Sequence, residues 1–371
     1  MKKGIVLVYD PHNLHQFLWY YSTYGKDKIW SALCLPNDKR GEYLSEYCKK
    51  AGIFEKIYTD DLSFSTMCIT KRIPFFIKML IYAILGKQIQ MCRQLAGRKI
   101  NLNDYDEIVV LTDVGVISGA FIGLGREKRV IILEDGYGDY ARRTYSNIFS
   151  HFFNINYWQG LILSILGYSN PAHYFPLKTT KNCYKFSSMP DKMLYKDYKS
   201  LEKLYDFSNT DMCLFERVIN SIYPDLNIEK IKYADVILFT DPITDYVKDD
   251  SIYIKKIEEY INANYKNVFI KRHPRELSTY TFNKNICVCE LQKDIPAEVI
   301  LPYVKNKKIV FTELSSILMY LDSSCEIVLL YFNDLYYQCI QEKTLMSYGS
   351  KNQKICDLER FEKKKVSIID L

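Results

Sequence analysis

The sequence predicts an α/β protein of two lobes, on three observations. Short apolar runs alternate with longer amphipathic ones, the pattern of β/α units around a mainly parallel sheet. The alternation occurs as two series, one ending near residue 135 and one beginning near Asp235. At 371 residues the chain is too long for one typical domain and long enough for two with a core each.

In the first series, strands are predicted over residues 4–9, 29–34, 53–58, 107–112 and 130–133, short stretches rich in apolar residues. Helices fill the gaps, for example over 14–24 and 41–51. From Pro176 to about Lys232 strong strand signals are missing, and Pro176, Pro190 and Pro224 stand among many lysines. That stretch reads as a connection with helices near 198–207 and 211–222. The second series places strands at 235–240, 267–271, 286–289, 308–312 and 326–331. Between its first two strands, Ile254, Ile257 and Ile261 recur at helical spacing and define one apolar face. The expected domains are therefore 1–178, a helical connection over 179–231, a second lobe over 232–350, and a tail over 351–371 that packs across the lobes.

Hydrophobic residues make up 48% of the chain and charged residues 25%, which excludes disordered, collagen-like and solenoid classes. A net charge of +6 argues against a dedicated nucleic-acid binder, and no RNA- or DNA-binding signature accompanies it. The same charge allows attraction to anionic substrates or lipid headgroups. The eleven cysteines are scattered singly except for Cys287-Val288-Cys289, a usage that fits reduced thiols in a cytoplasmic protein. The N-terminal apolar run stops at Asp10-Pro11, too short for a signal peptide. Two further apolar stretches, 73–85 and 157–168, are shorter than the ~20 residues a membrane span needs. They are read either as buried helices or as an interfacial membrane face, because Lys71, Arg72, Lys78, Lys87, Arg93, Arg98 and Lys99 surround the first.

Three short motifs could carry chemistry. Glu134-Asp135-Gly136 follows an apolar strand, and in open α/β sheets ligands bind beyond the strands' carboxyl ends. One carboxylate could abstract a proton while the other orients it, with Gly136 permitting the turn; an acidic loop is the plain alternative. His273-Pro274 follows a second-lobe strand beside Lys271, Arg272 and Arg275, so an arriving anion would meet a positive field and a group able to protonate it. Pro274 biases His273 toward an extended backbone. Ser315-Ser316 stands between a strand and an expected helix start, where hydroxyls and N–H groups can bind phosphate or simply cap the helix. His12 and His15 follow the first strand and could face an acceptor. Asp104-Tyr105-Asp106 precedes a strand and reads as a surface turn, not a metal-nucleotide motif. GxxxxGK[ST], GxGxxG and HExxH patterns are missing, so P-loop, dinucleotide and zincin readings have no support.

An acidic doublet with glycine, then His-Pro, then Ser-Ser, in that order across both lobes, resembles the bacterial sialyltransferases of the lipooligosaccharide sialyltransferase and polysialyltransferase type. The resemblance implies a GT-B-type α/β architecture, two Rossmann-like domains facing a central cleft. It implies an inverting, metal-independent transfer of sialic acid from CMP-sialic acid, with no cofactor, to a hydroxyl of a capsular or lipooligosaccharide glycan acceptor. Under it, His273 contacts or protonates the CMP phosphate, and Ser315 and Ser316 bind it. Gly136, Thr240, Lys271, Pro274 and Thr312 complete the donor side, while His12, Asn13 and His15 lie on the acceptor side. The base is Glu134 first, with Asp135 and Asp241 as alternatives. Transfer of another CMP-linked acid sugar of the Kdo or legionaminic type, or a non-catalytic nucleotide- or glycan-binding role, is the competing expectation. The protein would be cytoplasmic, in peripheral contact with the inner membrane face.

Overall fold

A computed structural model describes residues 1–35, 43–59, 77, 81, 100–111, 118, 121–122, 128–134, 183–193, 198–293, 295–342, 349–360 and 366–371. The chain divides into two compact units, Met1–Pro224 and Asp225–Leu371.

The first unit is built on β1 (Lys3–Val8), β2 (Ile29–Cys34), β3 (Phe54–Thr59), β4 (Glu107–Val110), β5 (Arg129–Leu133), β6 (Tyr184–Ser187) and β7 (Ser200–Lys203). Their order is β3-β2-β1-β4-β5-β6-β7 and every pairing is parallel. A parallel sheet is covered on both faces, so its central strands must be apolar throughout. Ile5 to Val8, Ile108 to Val110 and Val130 to Leu133 meet that demand, and all are buried. The edges β3 and β7 carry the polar residues, as befits strands with one unpaired side.

Helix α1 (Pro11–Tyr20) begins where the Asp10 carboxylate accepts from the Asn13 N–H at 2.8 Å, with Pro11 in the first turn. Helix α2 (Leu44–Ala51) stops at Gly52, whose φ of 66° is a left-handed conformation that glycine adopts without strain. Helix α3 (Met212–Ile222) buries Phe215, Val218, Ile219 and Ile222 on one stripe, and the Phe215 ring lies 4.5 Å from that of Trp19 on α1. Gly4 is required by the core: a Cβ there would run into the Trp30 ring.

The second unit holds α4 (Ile228–Tyr233), β8 (Val236–Phe239), α5 (Ser251–Asn264), β9 (Asn267–Lys271), β10 (Cys287–Leu291), β11 (Lys308–Phe311), β12 (Glu326–Tyr331), α6 (Asn333–Glu342), α7 (Lys351–Arg360) and β13 (Val366–Asp370). The sheet order is β10-β9-β8-β11-β12-β13, again with every pairing parallel. Ile254, Ile257 and Ile261 of α5 form the buried face expected of them, packed with Val236, Leu238, Val268 and Val310. The chain is thus an α/β protein with two Rossmann-like units, the class expected.

In each sheet the first strand is flanked by its successor on one side and by a strand from later in the chain on the other. The reversal falls between β1 and β4 in the first unit and between β8 and β11 in the second. Carboxyl-end crevices at such switch points are where open α/β sheets hold ligands.

The structure revises the expected domain limits. The stretch 179–231 supplies β6 and β7 to the first sheet, so it is more than a helical connection, and the unit boundary falls after Pro224. The helix expected near 198–207 is strand β7, a short run with polar residues that pairs with β6 at the edge of the sheet. The tail contributes β13 as an edge strand of the second sheet, paired with β12. Among the described residues no helix is long and apolar enough to cross a membrane. The apolar stretches 73–85 and 157–168 lie outside the described residues except for Ile77 and Ile81, which are helical and exposed.

Candidate active site

Glu134 directly follows β5 and is 0% exposed. Its carboxylate accepts from the Ser188 N–H at 2.7 Å and from the Ser188 hydroxyl, so it ties the end of β5 to the end of β6. The Gln16 amide of α1 donates to the Glu134 carbonyl at 2.9 Å, and the buried Lys185 ammonium donates to the Leu133 carbonyl at 3.2 Å. The Glu134 carboxylate thus fastens the end of β5 to the end of β6, and the backbone carbonyl of the same residue holds α1. Asp135 and Gly136 lie outside the described residues. His15 is not on an acceptor-facing surface: it is 1% exposed, with the Phe215 ring 5.5 Å and the Trp19 ring 6.5 Å from its own. Asn13 is buried beside it on α1 and His12 is half-buried.

The second unit gathers more of the expected residues. Strands β9, β8 and β11 are consecutive in the sheet, and their carboxyl ends lead into Arg272 to Glu276, Thr240 to Asp241, and Thr312 to Ser316 respectively. With neighbouring strands about 4.8 Å apart, the outer two of these loops leave the sheet roughly 10 Å from each other.

Asp241 is part-buried at the switch point. Its N–H donates to the Thr312 hydroxyl at 2.8 Å, and its carboxylate accepts from the Tyr246 hydroxyl at 2.9 Å. Burial raises its carboxyl above the usual aspartate range, opposed by the Tyr246 hydrogen bond and by Arg275. His273 Nδ1 accepts from the Arg275 N–H at 3.2 Å, so a neutral ring carries its proton on Nε2. Ser315 and Ser316 are half-buried and open a four-residue 3-10 turn, Ser316–Met319, where a longer helix was expected; Ser315 makes no side-chain cap. Their hydroxyls and backbone remain at the strand end without the dipole of an α-helix behind them.

Several residues expected on the donor side spend their polar groups internally. The Thr240 hydroxyl donates to Glu276, and the Thr312 hydroxyl serves the Asp241 backbone. The Lys271 ammonium donates to the carbonyls of Arg272 and Lys293 at 2.8 and 2.9 Å. Arg272 pairs with Glu290 and donates to the Ser278 carbonyl, and Arg275 pairs with Asp245 at 2.8 Å. The three cations around His273 therefore shape its loop. Pro274 is exposed within it.

Sequence reasoning missed three members of this cluster. Glu276, three residues after His273, is 0% exposed and accepts from Thr240 and from the Tyr280 hydroxyl, the latter at 2.5 Å. Burial pushes its carboxyl up to about 7. Glu313 follows Thr312 and is paired with Lys354 of α7, both nearly enclosed; burial raises the Glu313 carboxyl and Lys354 opposes the rise. Lys354 comes from a tail with no local motif, so only tertiary packing could reveal it. Among the described residues no group of three or more His, Cys, Asp or Glu could hold a metal ion, no disulfide joins the cysteines, and Asp104 to Asp106 form a surface turn before β4.

No protein-family model matches the chain, and no curated protein matches it in sequence. Solved structures similar to it include the spinosyn rhamnosyltransferase SpnG, at 10% identity and a TM-score of 0.45, covering 97% of this chain and 90% of that one. Medicago truncatula UGT71G1 complexed with UDP-glucose gives 10% identity and a TM-score of 0.47 over 92% and 83% of the two chains. The UDP-N-acetylglucosamine 2-epimerase from Rickettsia bellii gives 11% and 0.41 over 89% and 79%. The fold class is carried by the strand pairing within each unit, independently of these likenesses.

Proposed function

We propose that the chain is an inverting glycosyltransferase that moves sialic acid from CMP-sialic acid to a hydroxyl of a bacterial surface glycan, working at the cytoplasmic face of the membrane. The observation that carries this reading is the convergence of Asp241, His273 and Ser315-Ser316 on the carboxyl ends of three consecutive strands of one sheet. The order of the sequence motifs supports the donor assignment.

In this reading the Asp241 carboxylate takes the proton of the acceptor hydroxyl as the acceptor oxygen bonds to the anomeric carbon. The bond from that carbon to the CMP phosphate oxygen breaks, and CMP departs with the electron pair. His273 donates from Nε2 to the departing phosphate, and Ser315 and Ser316 donate hydroxyl hydrogen bonds to it. One displacement inverts the anomeric centre. Asp241 is preferred to Glu134 as the base because it is part-buried at a switch point, whereas Glu134 is enclosed and bonded to Ser188. A raised carboxyl at Asp241 also makes a stronger base.

The test is a donor panel with CMP, CMP-sialic acid, CMP-Kdo and UDP-sugars, read by thermal shift and by transfer to a glycan acceptor panel. A donor at 100 times its dissociation constant should stabilise the protein by about 2.7 kcal/mol. Stabilisation by CMP-sialic acid and CMP with transfer is expected. Stabilisation by UDP-sugars alone, or by nothing in the panel, overturns the reading.

A further inference from the structure

The buried carboxylate of Glu276 belongs to neither motif, yet it joins the two loops that carry the candidate acid and base. On one side it sits in the turn that begins at His273, where the Glu276 N–H donates to the His273 carbonyl at 3.0 Å and the Lys293 ammonium donates to the Glu276 carbonyl at 2.6 Å. On the other side its carboxylate accepts from the hydroxyl of Thr240, the residue immediately before Asp241. The Tyr280 hydroxyl occupies its second oxygen at 2.5 Å. The Thr240 N–H donates to the Lys271 carbonyl at 3.2 Å, extending the β8–β9 ladder up to the point where the clamp begins.

We propose that Glu276 is a positioning residue: its carboxylate clamps the His273 loop to the Thr240-Asp241 strand end and sets the candidate acid and base relative to each other. This inference rests on the reading of that strand end as a transfer site.

An ionised carboxylate accepts both hydroxyls at once, whereas a protonated one must donate from one oxygen, so one of the two hydroxyls has to turn around. The clamp is complete only in the ionised form. The charged and titratable groups facing it are Arg272, whose charge favours ionisation, Tyr280, whose donated hydrogen bond also favours it, and Asp241, which opposes it; Lys293 is bonded to the Glu276 backbone carbonyl, and Asp250 acts on Tyr280 from the start of α5. Enclosure outweighs them and brings the carboxyl up to about 7. The clamp therefore forms as pH rises through neutrality, and turnover should rise with it.

The experiment compares wild type with Glu276→Gln, Thr240→Val and Tyr280→Phe, measuring CMP affinity, the pH profile of kcat for transfer, and the Thr240 methyl and His273 ring resonances of the ligand-free protein. Glu276→Gln imitates the protonated carboxyl without emptying the site, and Tyr280→Phe tests the second hydroxyl separately. At pH 8, Glu276→Gln and Thr240→Val should lose at least about tenfold in kcat, in the range of a misplaced catalytic group, with CMP affinity within about threefold. The rising limb near pH 7 should vanish in Glu276→Gln. The Thr240 methyl should titrate near pH 7 in wild type and not in Glu276→Gln, and the His273 resonance should move in Thr240→Val. Wild-type kcat and pH profile in Glu276→Gln, or CMP affinity lost in step with kcat, overturns the clamp. A wild-type protein that neither binds CMP nor transfers, but keeps the Thr240 and His273 responses, overturns the transfer reading and leaves the clamp standing.

Discussion

At the carboxyl edge of the first sheet Glu134 is wholly enclosed, with its carboxylate bonded to the backbone and hydroxyl of Ser188; at the same edge of the second sheet Asp241 is part-buried and held by Tyr246. The two sheets share a strand order up to the last strand of the shorter one, yet the two carboxylates stand at different places in it. Glu134 ends β5, one strand away from the β1/β4 reversal, while Asp241 ends β8 at the β8/β11 reversal itself. A carboxylate beside the switch point faces the crevice that the diverging connections open, and one beyond it is covered by its neighbours. Position in the sheet, more than the residue type, separates a fastening from a candidate reactive group.

Replacing reactive groups should have the largest effect. Asp241→Asn and His273→Ala are each expected to lower kcat for transfer by about 10²- to 10⁴-fold with the fold retained, as general acids and bases do. Glu134→Gln should keep kcat within about tenfold; a collapse of kcat in Glu134→Gln with full stability would return the base to the first unit and break the comparison.

Next comes the buried ion pair that the second unit has at its strand end. Lys354→Met removes one partner of Glu313 and should cost about 3 to 5 kcal/mol in denaturant unfolding at pH 8. Because Glu313 is already inclined to hold its proton, the loss should shrink as pH falls.

The pH dependence of stability should separate the units as well. Glu276 has its carboxyl near 7 in the folded protein against a usual 4.5, so the folded state holds the extra proton between those values. Stability contributed by this group is full below about 4.5 and falls as pH rises toward 7, by up to about 3 kcal/mol. Unfolding measured across that window should show the slope in wild type and lose it in Glu276→Gln. The smallest effect is expected at the first-unit fastening: Ser188→Ala should cost about 1 to 2 kcal/mol, the loss of one buried hydrogen bond.

Among the described residues, ten of the thirteen strands were legible, most of them because their apolar runs are sharply bounded. Strands β6, β7 and β13 were not: Lys185 lies in β6, Glu202 and Lys203 in β7, and Ser367 and Asp370 in β13. Their polar side chains hide a strand whose pairing partner lies far away in the chain, as Ile131 does from Tyr184. At the site, His273, Asp241 and Ser315-Ser316 could be proposed from short motifs after strands, whereas Glu276 and Lys354 belong to no motif. The assignment of His15 to an acceptor surface failed because a helix beginning at Pro11 turns that residue toward Phe215 of a helix some 200 residues later.

The amino-acid sequence by itself determined the α/β class, the two series of strands, and the strand ends that carry the candidate acid, base and phosphate donors, because hydrophobic periodicity and turn chemistry are local properties. Only the tertiary structure decided which strands are neighbours, which carboxylate is enclosed and which ends a strand at the switch point. Burial and hydrogen-bond partnership depend on residues distant in the chain, and they are what divide Glu134 from Asp241 and connect Glu276 to both candidate catalytic loops.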